Sequence, residues 1–239
     1  MTRPAKKSED KRVAEALAWL KRRGTKKNVE GMARYAIRAE KVLGVSVADI
    51  QSFAKQLGRD HELAAALWAT GWYEARMMAS FVDDPALVTS LQMDAWCRAF
   101  DNWAICDTIC FHLFDKSPLA WRKVKAWTGR RDEFVKRAGF ALLASLAVHD
   151  KKCPDERFLE ALPIIEREAT DGRNFVKKAV SWALRGIGGR NRALHEEAVA
   201  VAKRLAASED SSARWIGKDA VKDLSSAAMA KRVVRGARD

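Results

Sequence analysis

At 239 residues, with 44 Lys+Arg against 31 Asp+Glu and a formal charge of +13, the chain is long enough for one large domain or a continuous stack of repeats. A basic surplus of that size points to a polyanionic partner, nucleic acid or an anionic membrane surface, through its long-range field. Even the long uncharged stretch from Ala138 to Val148 falls well short of the ~20 residues a membrane-spanning helix needs, and MTRPAKKSEDKR lacks the apolar core of a secretory signal.

Read in order, the first element is a helix near Val13 to Arg23 within a basic N-terminal extension, residues 1–29. Helical period then dominates: VAEALAWLKRR, HELAAALWAT, FVKRAGFALLASLAVH and NFVKKAVSWALRGI place apolar residues at i, i+3, i+4 and i+7. No stretch alternates with period two long enough for a strand, so the expected class is all-α. Pro85, Pro118 and Pro154 stand where helices start or stop, whereas Pro163, in LEALPIIERE, either kinks a helix or falls in its first turn. Helix starts of similar appearance recur at Trp72, Trp103, Phe134, Phe175 and Ser212, at intervals of 31, 31, 41 and 37 residues. Each interval leaves room for one more short helix, which is the arrangement of HEAT-like helix pairs. Stacked, such pairs over residues 30–225 make a right-handed curved solenoid whose inner helices line a concave face; a plain helical bundle is the alternative. Residues 226–239 complete the chain as a basic tail, flexible like the first residues.

The basic residues recur with the repeats. Lys136 and Arg137 correspond in position to Lys177 and Lys178, and Arg214 and Lys218 extend the series. Arg185, Arg190 and Arg192 surround GIGG, where exposed backbone N–H groups could approach phosphate. The expected result is a basic concave stripe suited to a duplex backbone; a merely solvated face is the alternative. Cys97, Cys106, Cys110 and Cys153 fit no disulfide framework, and C-x8-C-x3-C matches no common ligand pattern. They read as reduced, core-packing residues of a cytoplasmic protein, with no metal and no cofactor expected.

One pair of residues runs against the basic background. In FDNWAICDTIC, Trp103 and Asp107 are four apart, so a helix puts the indole and the carboxylate on one face. A carboxylate repels phosphate but suits a cationic ligand or a transition state that becomes positive. The bland reading of Asp107 is a surface carboxylate or an ion pair with Arg137. Among the nine tryptophans, Trp19, Trp68, Trp72, Trp121 and Trp127 sit at core spacing. Trp103 and Trp182 instead adjoin charged residues of the inner helices, and either packs in the core or faces a ligand.

Taken together, GMARYAIRAEKVLGVS, the W-x3-D of DNWAICDT, FVKRA and FVKKAVSWALRG, spread from about Glu30 to Leu224, resemble the HEAT-repeat class of DNA alkylation repair glycosylases, the AlkD-like family. The resemblance implies that Trp103 and Trp182 flank a lesion, with Asp107 the catalytic carboxylate and Arg137 a phosphate clamp beside it. It also implies that Tyr35 is a further aromatic near the lesion and Arg185 a backbone contact. The activity implied is excision of cationic N3- or N7-alkylated purines from double-stranded DNA in base excision repair, by a cofactor-free monomer that leaves an abasic site. With no lysine singled out as a Schiff-base nucleophile, no lyase step is expected. The rival reading is a non-catalytic HEAT-repeat module that holds nucleic acid or a protein.

Overall fold

The computed structural model describes residues 8–236, and every regular element among them is helical. Residues 1–7 and 237–239, the outermost parts of the two basic ends, lie outside the described residues. The chain divides into two compact units between Ser117 and Pro118.

The first unit holds α1 (Glu9–Arg23), α2 (Lys26–Ala33), α3 (Val47–Leu57), α4 (His61–Ala69), α5 (Tyr73–Val82), α6 (Ser90–Arg98) and α7 (Trp103–His112), closed by a 3-10 turn at Phe114–Lys116. Short polar side chains set most of the starts. Thr25, Ser46, Asp60, Thr89 and Asn102 each accept an N–H from the third residue onward, satisfying a donor that the first helical turn leaves open. The centre of the unit is α5, which packs on α3, α4 and α7, while α1 docks on α4 and α5 with Ala16 and Leu20 buried. Trp68 and Trp96 stack at 4.2 Å across α4 and α6.

The second unit holds α8 (Ala120–Trp127), α9 (Glu133–His149), α10 (Asp155–Leu159), α11 (Leu162–Glu168), α12 (Asn174–Gly188), α13 (Arg192–Ala206), α14 (Ser211–Leu224) and α15 (Ala227–Gly236). Its spine is α9 against α12 and α12 against α14, with α8, α10–α11 and α13 as the first members of the pairs. Pro163 lies in the first turn of α11, where its missing N–H leaves no gap, and it splits that outer helix in two. All five repeat starts read from the sequence fall within one residue of a helix start, at α5, α7, α9, α12 and α14.

Three local expectations need correction. The GIGG segment is not a phosphate-facing loop, because Gly186 and Gly188 are buried within α12. A Cβ on Gly188 would stand 2.5 Å from Leu224 and one on Gly186 3.3 Å from Ala147, so these glycines permit close helix packing. Of the five tryptophans assigned to the core, Trp68 and Trp127 are buried. Trp19, Trp72 and Trp121 are half-buried, each with a cation over its ring at 5.4, 6.0 and 5.7 Å. The end of the chain is no loose tail as far as residue 236, because Met229 and Val233, four apart on α15, are buried.

All four cysteines are buried thiols outside any disulfide, as a reduced core requires. Burial pushes the Cys110 and Cys153 thiols above their ordinary range. No helix among the described residues is long and apolar enough to cross a membrane.

Candidate active site and nucleic-acid interface

In the first unit the site is built on α7. Asn102 caps the helix by accepting the Ile105 N–H at 3.0 Å, and its own amide donates to Asp101 at 2.7 Å. The cap fixes where the helix begins, and so which residues face outward. Ala104, Ile105, Cys106, Ile109 and Cys110 are buried, whereas Trp103, Asp107 and Phe111 are half-buried. Their i, i+4, i+8 spacing makes one ridge. The indole and the carboxylate therefore share an accessible face, as their spacing implies.

Trp103 is also pinned. Its Nε1–H donates to the Tyr35 carbonyl at 2.8 Å, so the ring is held by a backbone group 68 residues away. Tyr35 sits in the turn that ends α2, where Ala36 has the left-handed φ of 54°, and its side chain is 69 % exposed. The structure thus brings Tyr35, Trp103 and Asp107 to one region of the first unit.

What anchors this segment is a residue that sequence reasoning passed over. Glu74, in the first turn of α5, is fully buried. Its carboxylate accepts the N–H groups of Leu43 (3.0 Å), Gly44 (2.6 Å) and Val45 (3.4 Å). The Asn28 amide donates to the Gly44 carbonyl and the Tyr73 N–H to that of Lys41, which ties the segment between α2 and α3 back to α2 as well as to α5. The available signal was an acid inside an otherwise apolar helix, WYEARMMASF. Next to it, Lys41, Tyr73, Arg76, Asp101 and Ile105 line a polar cleft of about 310 Å³. Burial, with the charges of Glu74 and Asp101, pushes the Tyr73 phenol above its ordinary value.

In the second unit, α12 carries the matching stripe. Phe175, Lys178, Trp182 and Arg185 follow i, i+3, i+7 and i+10 spacing and are at least partly exposed, while Val176, Ala179, Val180, Ala183 and Leu184 are buried. Arg137, on α9, is 5 % exposed and donates to the Phe175 carbonyl at 2.5 Å. It therefore braces the start of α12, where the Phe134 and Phe175 rings stand 5.5 Å apart.

The expected basic stripe dissolves on inspection into several different uses. Lys136 is 9 % exposed, and its ammonium pairs with Glu168 (2.6 Å) and Asp171 (3.1 Å). It joins the end of α11 to α9 and is not placed for phosphate, which corrects the expectation. Hydrogen bonds from Arg173 hold the Asp171 carboxyl well below the usual carboxylate range. Arg190 is likewise corrected: it is buried over the Phe158 ring at 4.0 Å and donates to the carbonyls of Leu146, Ala147 and Cys153. Arg190→Ala should cost roughly 2–4 kcal/mol of stability, read by denaturant unfolding. Its affinity for nucleic acid should not change. Arg214 donates to the Ser208 and Glu209 carbonyls ahead of α14. Arg185 lies near Asp219 and Asp223, at 3.7 and 3.8 Å. Lys177 stands 5.0 Å over the Trp215 ring, Arg192 pairs with Glu196 while largely exposed, and Lys178 is exposed. No cluster of His, Cys, Asp or Glu among the described residues is placed to hold a metal ion.

Paired helices in register, with an aromatic–carboxylate ridge on one of the second helices, define the chain as a helical-repeat protein. A family model for the DNA alkylation repair enzymes matches residues 16–224, and the chain belongs to that family. One solved structure is described as "a new family of proteins related to the HEAT-like repeat DNA glycosylases with affinity for branched DNA structures". It matches with a TM-score of 0.74 and 21 % identity, over 87 % of this chain and 93 % of that one. The likeness shows the HEAT-like fold expected from the repeat. A designed armadillo repeat protein in complex with a (KR)4 peptide matches at TM-score 0.38 and 13 % identity, over 80 % of each chain. A second designed armadillo repeat protein matches at 0.33 and 12 %, over 74 % of this chain and 92 % of that one. A search of curated proteins found no match.

Proposed function

We propose that the protein is a DNA glycosylase that removes cationic N3- or N7-alkylated purines from duplex DNA and leaves an abasic site. The observation that carries this reading is the ridge on α7, where Trp103 is held by the Tyr35 carbonyl and Asp107 follows one turn later. A purine alkylated at N3 or N7 bears positive charge, so its departure yields a neutral base and needs no general acid. The sugar left behind gains oxocarbenium character, which a fixed carboxylate stabilises. Asp107 supplies that anion and orients the attacking water. An indole face favours a cationic base over a neutral one by about 0.5–2 kcal/mol. That range gives modest selectivity, so the lability of the damaged bond itself contributes the rest. Within the second unit, Trp182, Lys178, Arg185 and Arg192 meet the DNA, and Arg137 acts by bracing the start of α12.

A second reading is favoured by one observation, the description of the structural neighbour as having affinity for branched DNA. On that reading the chain holds branched DNA without cutting a glycosidic bond. Release of free 7-methylguanine and 3-methyladenine from methylated duplex DNA separates the two. Release by the wild type supports the glycosylase; tight binding of branched DNA with no release of either base sinks it.

A further inference from the structure

We propose that Arg232, on α15, contacts a backbone phosphate of the nucleic acid beside Trp182, a role that rests on the nucleic-acid-binding reading above. A cleft of about 320 Å³ in the second unit is lined by Trp182 and Arg185 of α12, Asp223 of α14, and Met229 and Arg232 of α15. The family match covers residues 16–224, and α15, a wall of this cleft, lies after the matched residues. The helix is fixed in place. Met229 and Val233 are buried, and α15 packs on α13 and α14, which leaves Arg232 on its outward side.

Two features set this arginine apart from the other cations near Trp182. Arg185 is drawn to Asp219 and Asp223, and Arg190 is buried over Phe158. Arg232 pairs with no carboxylate among the described residues. Arg185 is shared between two carboxylates, which leaves Arg232 as the cation of this cleft without an acid beside it. Its guanidinium also lies against Gly189, the residue that ends α12: a Cβ there would stand 2.9 Å from Cζ. The end of a helix is electronegative, and it holds the cation at that spot rather than letting it range. A positioned guanidinium presents paired N–H donors that match two phosphate oxygens, which an ammonium does not. A half-buried indole and a pre-placed guanidinium lining one cleft suit a nucleotide, with its base near the ring and its phosphate on the arginine.

The test uses the full chain and a short undamaged DNA duplex, with binding followed by fluorescence anisotropy between about 50 and 200 mM salt. Arg232→Ala should weaken binding roughly tenfold at low salt and reduce the slope of log affinity against log salt by about 0.9, the loss of one phosphate contact. Arg232→Lys should keep the slope and lose part of the affinity. Lys203→Ala, which removes an exposed cation of α13, should change neither. A slope and affinity for Arg232→Ala equal to wild type overturn the assignment while leaving the glycosylase reading intact. Failure of the wild type to bind duplex at all overturns that reading, and this one with it.

Discussion

Asp107→Asn should lower the rate of base release by about 100- to 1,000-fold, the size of effect seen when one pre-placed electrostatic partner of a transition state is removed. The amide is nearly the same shape as the carboxylate, so the α7 ridge and the hydrogen bond from Trp103 to Tyr35 should persist. Binding of duplex should hold or tighten slightly, because a negative charge facing a polyanion has been removed. Single-turnover release of 7-methylguanine, measured beside anisotropy, reads both quantities. A variant that releases base within a factor of about three of wild type would show that Asp107 does not stabilise the developing cation. Loss of release together with loss of binding would point instead to a damaged surface.

The second large effect is expected from Glu74→Ala. Removing the buried carboxylate leaves the N–H groups of Leu43, Gly44 and Val45 without their acceptor. Each such group costs about 1–3 kcal/mol when left unsatisfied, so a total loss of at least roughly 3 kcal/mol is expected. Glu74→Gln keeps one acceptor oxygen and should lose less. The midpoint of urea unfolding measures both. Because the anchored segment also carries Tyr35, proteolysis between α2 and α3 should begin before global unfolding. An unfolding midpoint for Glu74→Ala that matches wild type would remove Glu74 from its anchoring role.

The repeat was readable because it is written in apolar spacing, which packing obeys directly. Trp72, Trp103, Phe134, Phe175 and Ser212 each open a helix whose buried face touches its neighbours within the unit, and that requirement leaves a periodic mark. The ridge of Trp103 and Asp107 was readable for the same reason, since helix geometry alone places them together. Basic residues leave no such mark. Lys136 and Lys177 occupy matching positions, yet one meets Glu168 and Asp171 while the other lies over Trp215. Those partners stand 32 to 38 residues away, and charge alone does not tell a phosphate from a carboxylate. Arg190 is used through backbone carbonyls, which have no sequence identity at all. GIGG fits either an anion-binding turn or a close helix contact, and only the positions of Ala147 and Leu224 decide between them. For α15 the signal was present, Met229 and Val233 at helical spacing, but it was short and lay in a basic stretch.

The four sheltered thiols carry an experimental consequence of their own. Thiolate is the form that attacks electrophiles, and burial both blocks access and keeps Cys110 and Cys153 protonated. A protein whose family deals with alkylation damage thus keeps its own softest nucleophiles out of reach of the agents that cause that damage. Three of the four, Cys97, Cys106 and Cys110, lie in or next to α7, the helix that carries Trp103 and Asp107. Their labelling by a maleimide becomes a clock for the opening of that helix, readable by mass in the unmodified wild-type chain.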